Sequence, residues 1–230
     1  AKPRMFDGVG TSSTKTNEGF SGYGGSGVAT IGNDAIKFTA LDIIQRGTGA
    51  NERERDIINM RGISIEGHVR CSHDTPVWYH LALVYPRDCK EIDQLPLERH
   101  WFRAYGESRT GSFSACRNTT DFNRPINTDE FIVLKHMRFK LIPNTQSNTA
   151  INDQQGHNTR DIKFYKKIKK QFRYSDELAE NLAPRNGRVF MAEWATPVYW
   201  DEQKSTDPDV TGTYVDSSFV HRRHYRETPN

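Results

Sequence analysis

Little in this 230-residue chain points to cross-linking, membrane spanning or metal chemistry. Its three cysteines, Cys71, Cys89 and Cys116, are odd in number and form no CxxC pair. They read as free thiols of a protein that is not built on disulfides. No apolar run approaches the roughly 20 residues of a membrane-spanning helix, so no membrane partner is expected. The eight histidines contain no HExxH and no paired metal spacing, and neither GxSxG nor a Walker A lysine occurs. His73-Asp74 and Asp207-Pro208-Asp209 stand isolated and read as loop polarity. The chain is therefore expected to be non-catalytic, without cofactor or metal. Net charge is only +3, so any affinity for a polyanion must come from local concentrations of lysine and arginine.

What the chain does have is aromatic side chains, turn formers and alternation. Glycine numbers 17 and proline 10, which with 11 % aromatics argues for a folded, turn-rich domain. The most informative stretch is Asp161 to Tyr174, DIKFYKKIKKQFRY. With a period of two, Ile162, Phe164, Ile168, Phe172 and Tyr174 share one face. Lys163, Tyr165, Lys167, Lys169, Gln171 and Arg173 share the other. Lys166 and Lys170 interrupt the apolar face. A basic face with a tyrosine in it suits phosphate contact and base stacking. It equally suits a solvated strand whose lysines discourage edge pairing.

Residues 1–34 carry eight glycines among serines and threonines, and are expected to be a flexible lead-in with too little apolar content to pack. Gly22, Gly24 and Gly27 satisfy GxGxxG, but without a preceding strand or a following helix the match reads as chance. A domain is expected from residue 35 to 230. AIKFTALDII from Ala35 reads as a strand, and INMRGISIEGHVR as a long one bent or bulged at Gly62 and Gly67. Val77 to Tyr85 is apolar on both faces and therefore central. In Phe131 to Leu141, residues Phe131, Val133, Met137, Phe139 and Leu141 are expected to share one face, with Arg138 and Lys140 on the other. Ser175 to Asn181 reads as a short helical turn, and Arg188 to Trp200 and Tyr214 to Tyr225 as the last strands. About eight strands with long loops, notably 87–130 and 142–160, predict an all-β, eight-stranded single jelly-roll β-sandwich.

Three stretches carry a family resemblance. They are Ile44-Gln45-Arg46-Gly47-Thr48-Gly49 with Ile57 to Gly67 behind it, then Phe122-Asn123-Arg124-Pro125-Ile126-Asn127 leading into Phe131 to Lys135, then Phe164 to Tyr174. In order and spacing they resemble capsid proteins of small circular single-stranded DNA viruses, the genomoviruses and geminiviruses, over roughly residues 36–225. The resemblance implies a subunit that assembles about sixty copies into a small icosahedral shell around single-stranded DNA, inside a virion and by way of the host nucleus. KKIKK, Lys166 to Lys170, is then also a candidate signal for nuclear import machinery.

On this reading the DNA contacts are Lys163, Lys167, Lys169 and Arg173, with Arg138, Lys140 and the terminal Arg222 and Arg223; Tyr165 and Tyr174 are stacking candidates. Proteins of that family begin with an arginine-rich arm, whereas only Lys2, Arg4 and Lys15 are basic before Lys37. About sixty copies at +3 neutralise few of the phosphates in even a short genome, so a basic arm ahead of Ala1 is expected. An RNA-virus capsid and a cellular β-sandwich binding module share the predicted fold and remain alternatives.

Overall fold

Alternation is strictest near the C-terminal end, where Val215, Ser217, Phe219, His221, Arg223 and Tyr225 are buried and the residues between them are less so. That is the period of a strand with one covered face. The computed structural model describes residues 14–21, 29–31, 37–49, 52–71, 76–87, 101–102, 125–142, 159–174, 183–197 and 215–227. They form β1 (Lys15–Ser21), β2 (Ala29–Ile31), β3 (Lys37–Ala40), β4 (Ile57–Cys71), β5 (Val77–Pro86), β6 (Phe131–Leu141), β7 (Thr159–Arg173), β8 (Phe190–Pro197) and β9 (Val215–Glu227).

Two antiparallel sheets result. The first has the order β1-β9-β4-β7, with β2 also pairing to β9; the second has the order β3-β8-β5-β6. Leaving the three-residue β2 aside, pairing is nested. The first strand pairs with the last, β3 with β8, β4 with β7 and β5 with β6. Between the sheets Ile58, Ile63, Ile65 and Phe172 of the first meet Tyr79, Leu81, Leu83 and Met191 of the second, all fully buried. Each such side chain contributes about 1.5–3 kcal/mol of transfer free energy as an upper bound. Glu193 ties the sheets together from within, accepting hydrogen bonds from Tyr79 Oη at 2.8 Å and, across the interface, from Ser217 Oγ at 2.6 Å. Burial pushes its carboxyl above the usual range.

A second apolar cluster lies on the other side of the second sheet. Trp101, Phe102 and Ile126 cover Ala82, Val84, Phe190, Ala192 and Trp194 there. The described parts of the expected 87–130 loop thus cap a sheet face. The rest of that loop, most of 142–160 and the helical turn expected at Ser175 to Asn181 lie outside the described residues.

Three expectations need correction. First, the segment expected to be a flexible lead-in contains β1, paired with β9 from Lys15↔Tyr225 to Ser21↔Phe219. Its inward positions are Asn17, Gly19 and Ser21, so it has no apolar period to announce it; β9 supplies the partner that holds it. A strand therefore does precede Gly22, but β2, and no helix, follows in the described chain, and the nucleotide motif still fails.

Second, within the described part of the strand expected from Ala35 to Ile44, regular pairing covers Lys37–Ala40, after which Leu41 and Ile44 turn into the core. Third, Phe131 and Val133 do not share a face with Met137, Phe139 and Leu141. A register shift opposite Leu83/Val84 turns them onto the Trp101 side, while Leu134 packs into the inter-sheet core. At Gly62 the expected bulge is present, as a shift between Met60 and Gly62 against both neighbours.

Gly67 makes no bulge but a close approach. A Cβ there would stand 2.0 Å from the Ser218 carbonyl oxygen and 2.7 Å from Phe219 Cδ1. Gly67→Ala must move the β9 backbone, and is expected to cost about 1–3 kcal/mol. Urea denaturation should show a lower midpoint at unchanged slope.

Candidate nucleic-acid interface

β7 positions the basic residues, and its register with β4 decides which way they point. Glu66↔Lys163, Ser64↔Tyr165, Gly62↔Lys167, Asn59↔Gln171 and Ile57↔Arg173 are neighbours, and Lys163, Tyr165, Lys167, Lys169, Gln171 and Arg173 are all exposed. Ile162, Ile168 and Phe172 are buried on the opposite side, as the alternation requires. Lys166 and Lys170 fall on that inward side yet stay half-buried. β7 pairs with β4 alone in the described sheet, and at such an edge a lysine stem can lie along the core while its ammonium reaches out. The Lys170 ammonium rests 4.6 Å from the centre of the Tyr85 ring.

The same face continues across β4, β9 and β1. Arg61, Arg70, Lys163, Lys167, Lys169, Arg173, Arg222 and Arg226 share it with the carboxylates Glu18, Glu66, Asp161 and Asp216. These carboxylates are used selectively. Lys163 pairs with Glu66 at 2.9 Å, Arg222 with Glu18 and Glu66 at 3.4 Å, and Arg70 with Asp216 at 2.7 Å. Exposed pairs of this kind, screened by solvent, contribute little to stability. Arg61, Lys167, Lys169, Arg173 and Arg226 face no carboxylate among the described residues. The surplus of positive charge is therefore concentrated at the end of the sheet where β4 carries its bulge.

In that region Thr14, Arg61, Tyr165, His224 and Arg226 line an open depression. The Tyr165 hydroxyl donates to the Arg61 carbonyl at 3.3 Å. His224 has Thr16 Oγ1 3.2 Å from Nδ1 and Ser64 Oγ 3.0 Å from Nε2. Burial, helped by the Arg222 charge, holds its pKa below the ordinary histidine value.

The residues expected at the site separate into three places. Lys163, Lys167, Lys169, Arg173, Arg222 and Tyr165 come together on the outer face of the first sheet. Arg138 and Lys140 do not join them; they stand exposed on β6 of the second sheet, with the Arg138 guanidinium 4.2 Å from the Trp78 ring centre. Arg223 and Tyr174 are inside, each 5 % exposed, and both expectations are corrected. Arg223 Nη1 donates to the Ile43 carbonyl, and Nη2 lies 3.3 Å from His221 Nδ1. The Tyr174 hydroxyl donates to the Asp42 carbonyl at 2.8 Å, and the Arg53 guanidinium lies 4.2 Å from its ring centre. Neither side chain is placed to touch a nucleic acid on the sheet surface.

Reading the sequence missed Arg61, Arg70, His224 and Arg226 as members of this face. The signal was present, since Arg222, His224 and Arg226 alternate with His221, Arg223 and Tyr225. Among the described residues no group of three or more His, Cys, Asp or Glu side chains comes together to hold a metal ion.

Two interior histidines make stability depend on pH. Burial, helped by neighbouring positive charge, pushes His221 down to about 3. Burial does the same to His80, which is stacked on Trp194 with ring centres 4.6 Å apart. Each is neutral when folded but protonates near 6.5 when unfolded, so below that pH the unfolded chain binds the extra proton. Their contribution is complete above about pH 6.5 and is lost as pH falls towards about 3, with a slope near 1.4 kcal/mol per unit for each histidine. Denaturation midpoints measured from pH 7 to 4 should fall, and His221→Gln should make the fall shallower; parallel curves would contradict this. Neither a family model nor a curated protein matches the chain.

Proposed function

We propose that the chain is a coat-protein subunit that binds single-stranded DNA on the outer face of its first sheet and assembles with copies of itself into a closed shell. The observation that carries the binding half is the cluster of uncompensated cations, Arg61, Lys167, Lys169, Arg173 and Arg226, on one continuous sheet face. Five cations that face no carboxylate among the described residues support a phosphate-binding surface of the kind that exchanges bound counterions for a nucleic-acid backbone. The nested pairing of β1 with β9, β3 with β8, β4 with β7 and β5 with β6 is what an eight-stranded ribbon gives when rolled into a jelly roll, which supports the assembly half. Rigid sandwiches with long loops can offer different patches to several neighbours, as heterologous closed assemblies need.

In this reading the charged sheet faces the interior of the shell, and the protein acts by binding and assembly without catalysis. Residence in a virion, and passage through the host nucleus with import machinery reading the Lys166 to Lys170 run, are part of the same proposal. β7 lies at a sheet edge, which specifically favours a second role for its lysines, opposing strand pairing between copies.

Substitution separates these roles. Replacing Lys163, Lys167, Lys169 and Arg173 with Gln should leave the fold intact, because all four point away from the core. Affinity for single-stranded DNA should fall, and the salt slope should become shallower by about 0.7 for each phosphate no longer neutralised. Arg138→Gln with Lys140→Gln, on the other sheet, should leave the slope unchanged. An unchanged slope in the first variant together with new aggregation would assign the lysines to edge protection.

Assembly is tested independently. At micromolar concentration light scattering and electron microscopy should find closed particles of uniform size, and a monodisperse monomer across a range of salts would refute the shell.

A further inference from the structure

At the β4 bulge, two rings and two arginines come together in one depression of the cationic face. Tyr165 lies across the sheet there because position 62 is glycine. A Cβ at Gly62 would stand 2.2 Å from the tyrosine hydroxyl and 2.6 Å from its ring carbon Cε2. The hydrogen bond to the Arg61 carbonyl steadies a ring that remains 55 % exposed. His224 stands beside it with ring centres 5.8 Å apart, its two nitrogens matched by the hydroxyls of Thr16 and Ser64. Arg226 is steered by its Nε bond to Thr14 Oγ1 at 3.2 Å. Among the described residues the Arg61 side chain has no partner and no carboxylate lines the depression. Its volume of about 480 Å³ lies within the roughly 300–1,000 Å³ of small-ligand sites.

We propose that this depression seats one unpaired nucleotide, with the base stacked on Tyr165 and the adjoining phosphate between Arg61 and Arg226. The inference rests on the reading of this face as a nucleic-acid surface and adds what that reading lacks, a reason to prefer single strands. A base in a duplex is already stacked on its neighbours, whereas an unpaired base can offer its face to an aromatic ring. Stacking tolerates any base, because every base has a π-face. The seat is therefore sequence-tolerant. Lysines alone, such as Lys167 and Lys169 beyond the depression, would bind any phosphate chain equally.

Equilibrium binding of the full chain to a labelled oligothymidylate, and to an abasic oligonucleotide of the same length and charge, tests this directly. The oligothymidylate is expected to bind on the order of tenfold more tightly, the size of one aromatic–base stack. Tyr165→Leu should abolish that preference, and Arg61→Gln with Arg226→Gln should weaken binding of both oligonucleotides. Equal affinity of the unaltered chain for the two would overturn the stacking seat and leave the phosphate surface standing. Failure to bind either would overturn the nucleic-acid reading itself. A preference that survives in Tyr165→Leu would also overturn the seat, because stacking would then occur elsewhere.

Discussion

The position of β4 between β9 and β7 governs everything on the charged face. β4 is hydrogen-bonded along most of its 15 residues on both sides. Because side chains alternate with a period of two, a slip of one residue against β7 would turn Lys163, Lys167 and Lys169 towards Ile63 and Ile65. Burying unpaired ammonium groups there costs several kcal/mol each, so the core enforces the register that exposes the lysines. Charge pattern and core pattern are the same constraint seen from the two sides of one sheet. The shift at Met60/Gly62 is the one place where β4 changes parity. Met60 is inward before it and Ile63 after it, and Arg61 is left on the outer surface beside Tyr165. The irregularity in the ladder thus coincides with the part of the face whose cations meet no carboxylate among the described residues.

The interior behind that face is more polar than the strands suggest. Under β1, the inward side of β9 carries His221 and Arg223, and Gly19 leaves room for both: a Cβ there would stand 2.1 Å from an Arg223 terminal nitrogen and 2.3 Å from His221 Cε1. Asp42, fully buried, accepts from Arg188 Nε and from the Val189 backbone N–H, both at 2.9 Å, and its charge acts on Arg223. Burial raises the Asp42 carboxyl while the arginine charge and these bonds lower it, and burial prevails. Such groups stabilise only while their partners stay in place, and His221 carries the acid sensitivity of the β1–β9 region. The cationic sheet face rests on one neutral buried histidine, His221, so its support depends on pH.

How much was legible followed from how cleanly each strand alternates. β7 and most of β9 are readable because apolar and polar positions separate in their sequences, and β5 because it is apolar on both faces. β1 was not, because Asn17, Gly19 and Ser21 face inward and no apolar period exists to find. The face of Phe131 and Val133 was misread because a bulge opposite Leu83/Val84 reverses parity midway, and bulges depend on the partner strand. At the site, the exposed lysines of β7 were identified by alternation alone. Arg223 was misassigned by treating the basic run from His221 to Arg226 as one block, when a period of two divides it into buried and outer halves. Tyr174 already stood on the apolar side of its strand, and its burial is what the alternation implied. The separation of Arg138 and Lys140 from the rest is a matter of which sheet each strand joins, which strand-level patterns do not encode.

The central claim is that nucleic acid meets the outer face of the first sheet and no other large surface. Acetylation of lysines by a water-soluble reagent, followed by mass spectrometry with and without bound single-stranded DNA, tests this most directly. Lys163, Lys167 and Lys169 should become protected when DNA is bound, while Lys140 on the second sheet keeps its reactivity. Protection of Lys140 with undiminished reactivity along β7 would contradict the account.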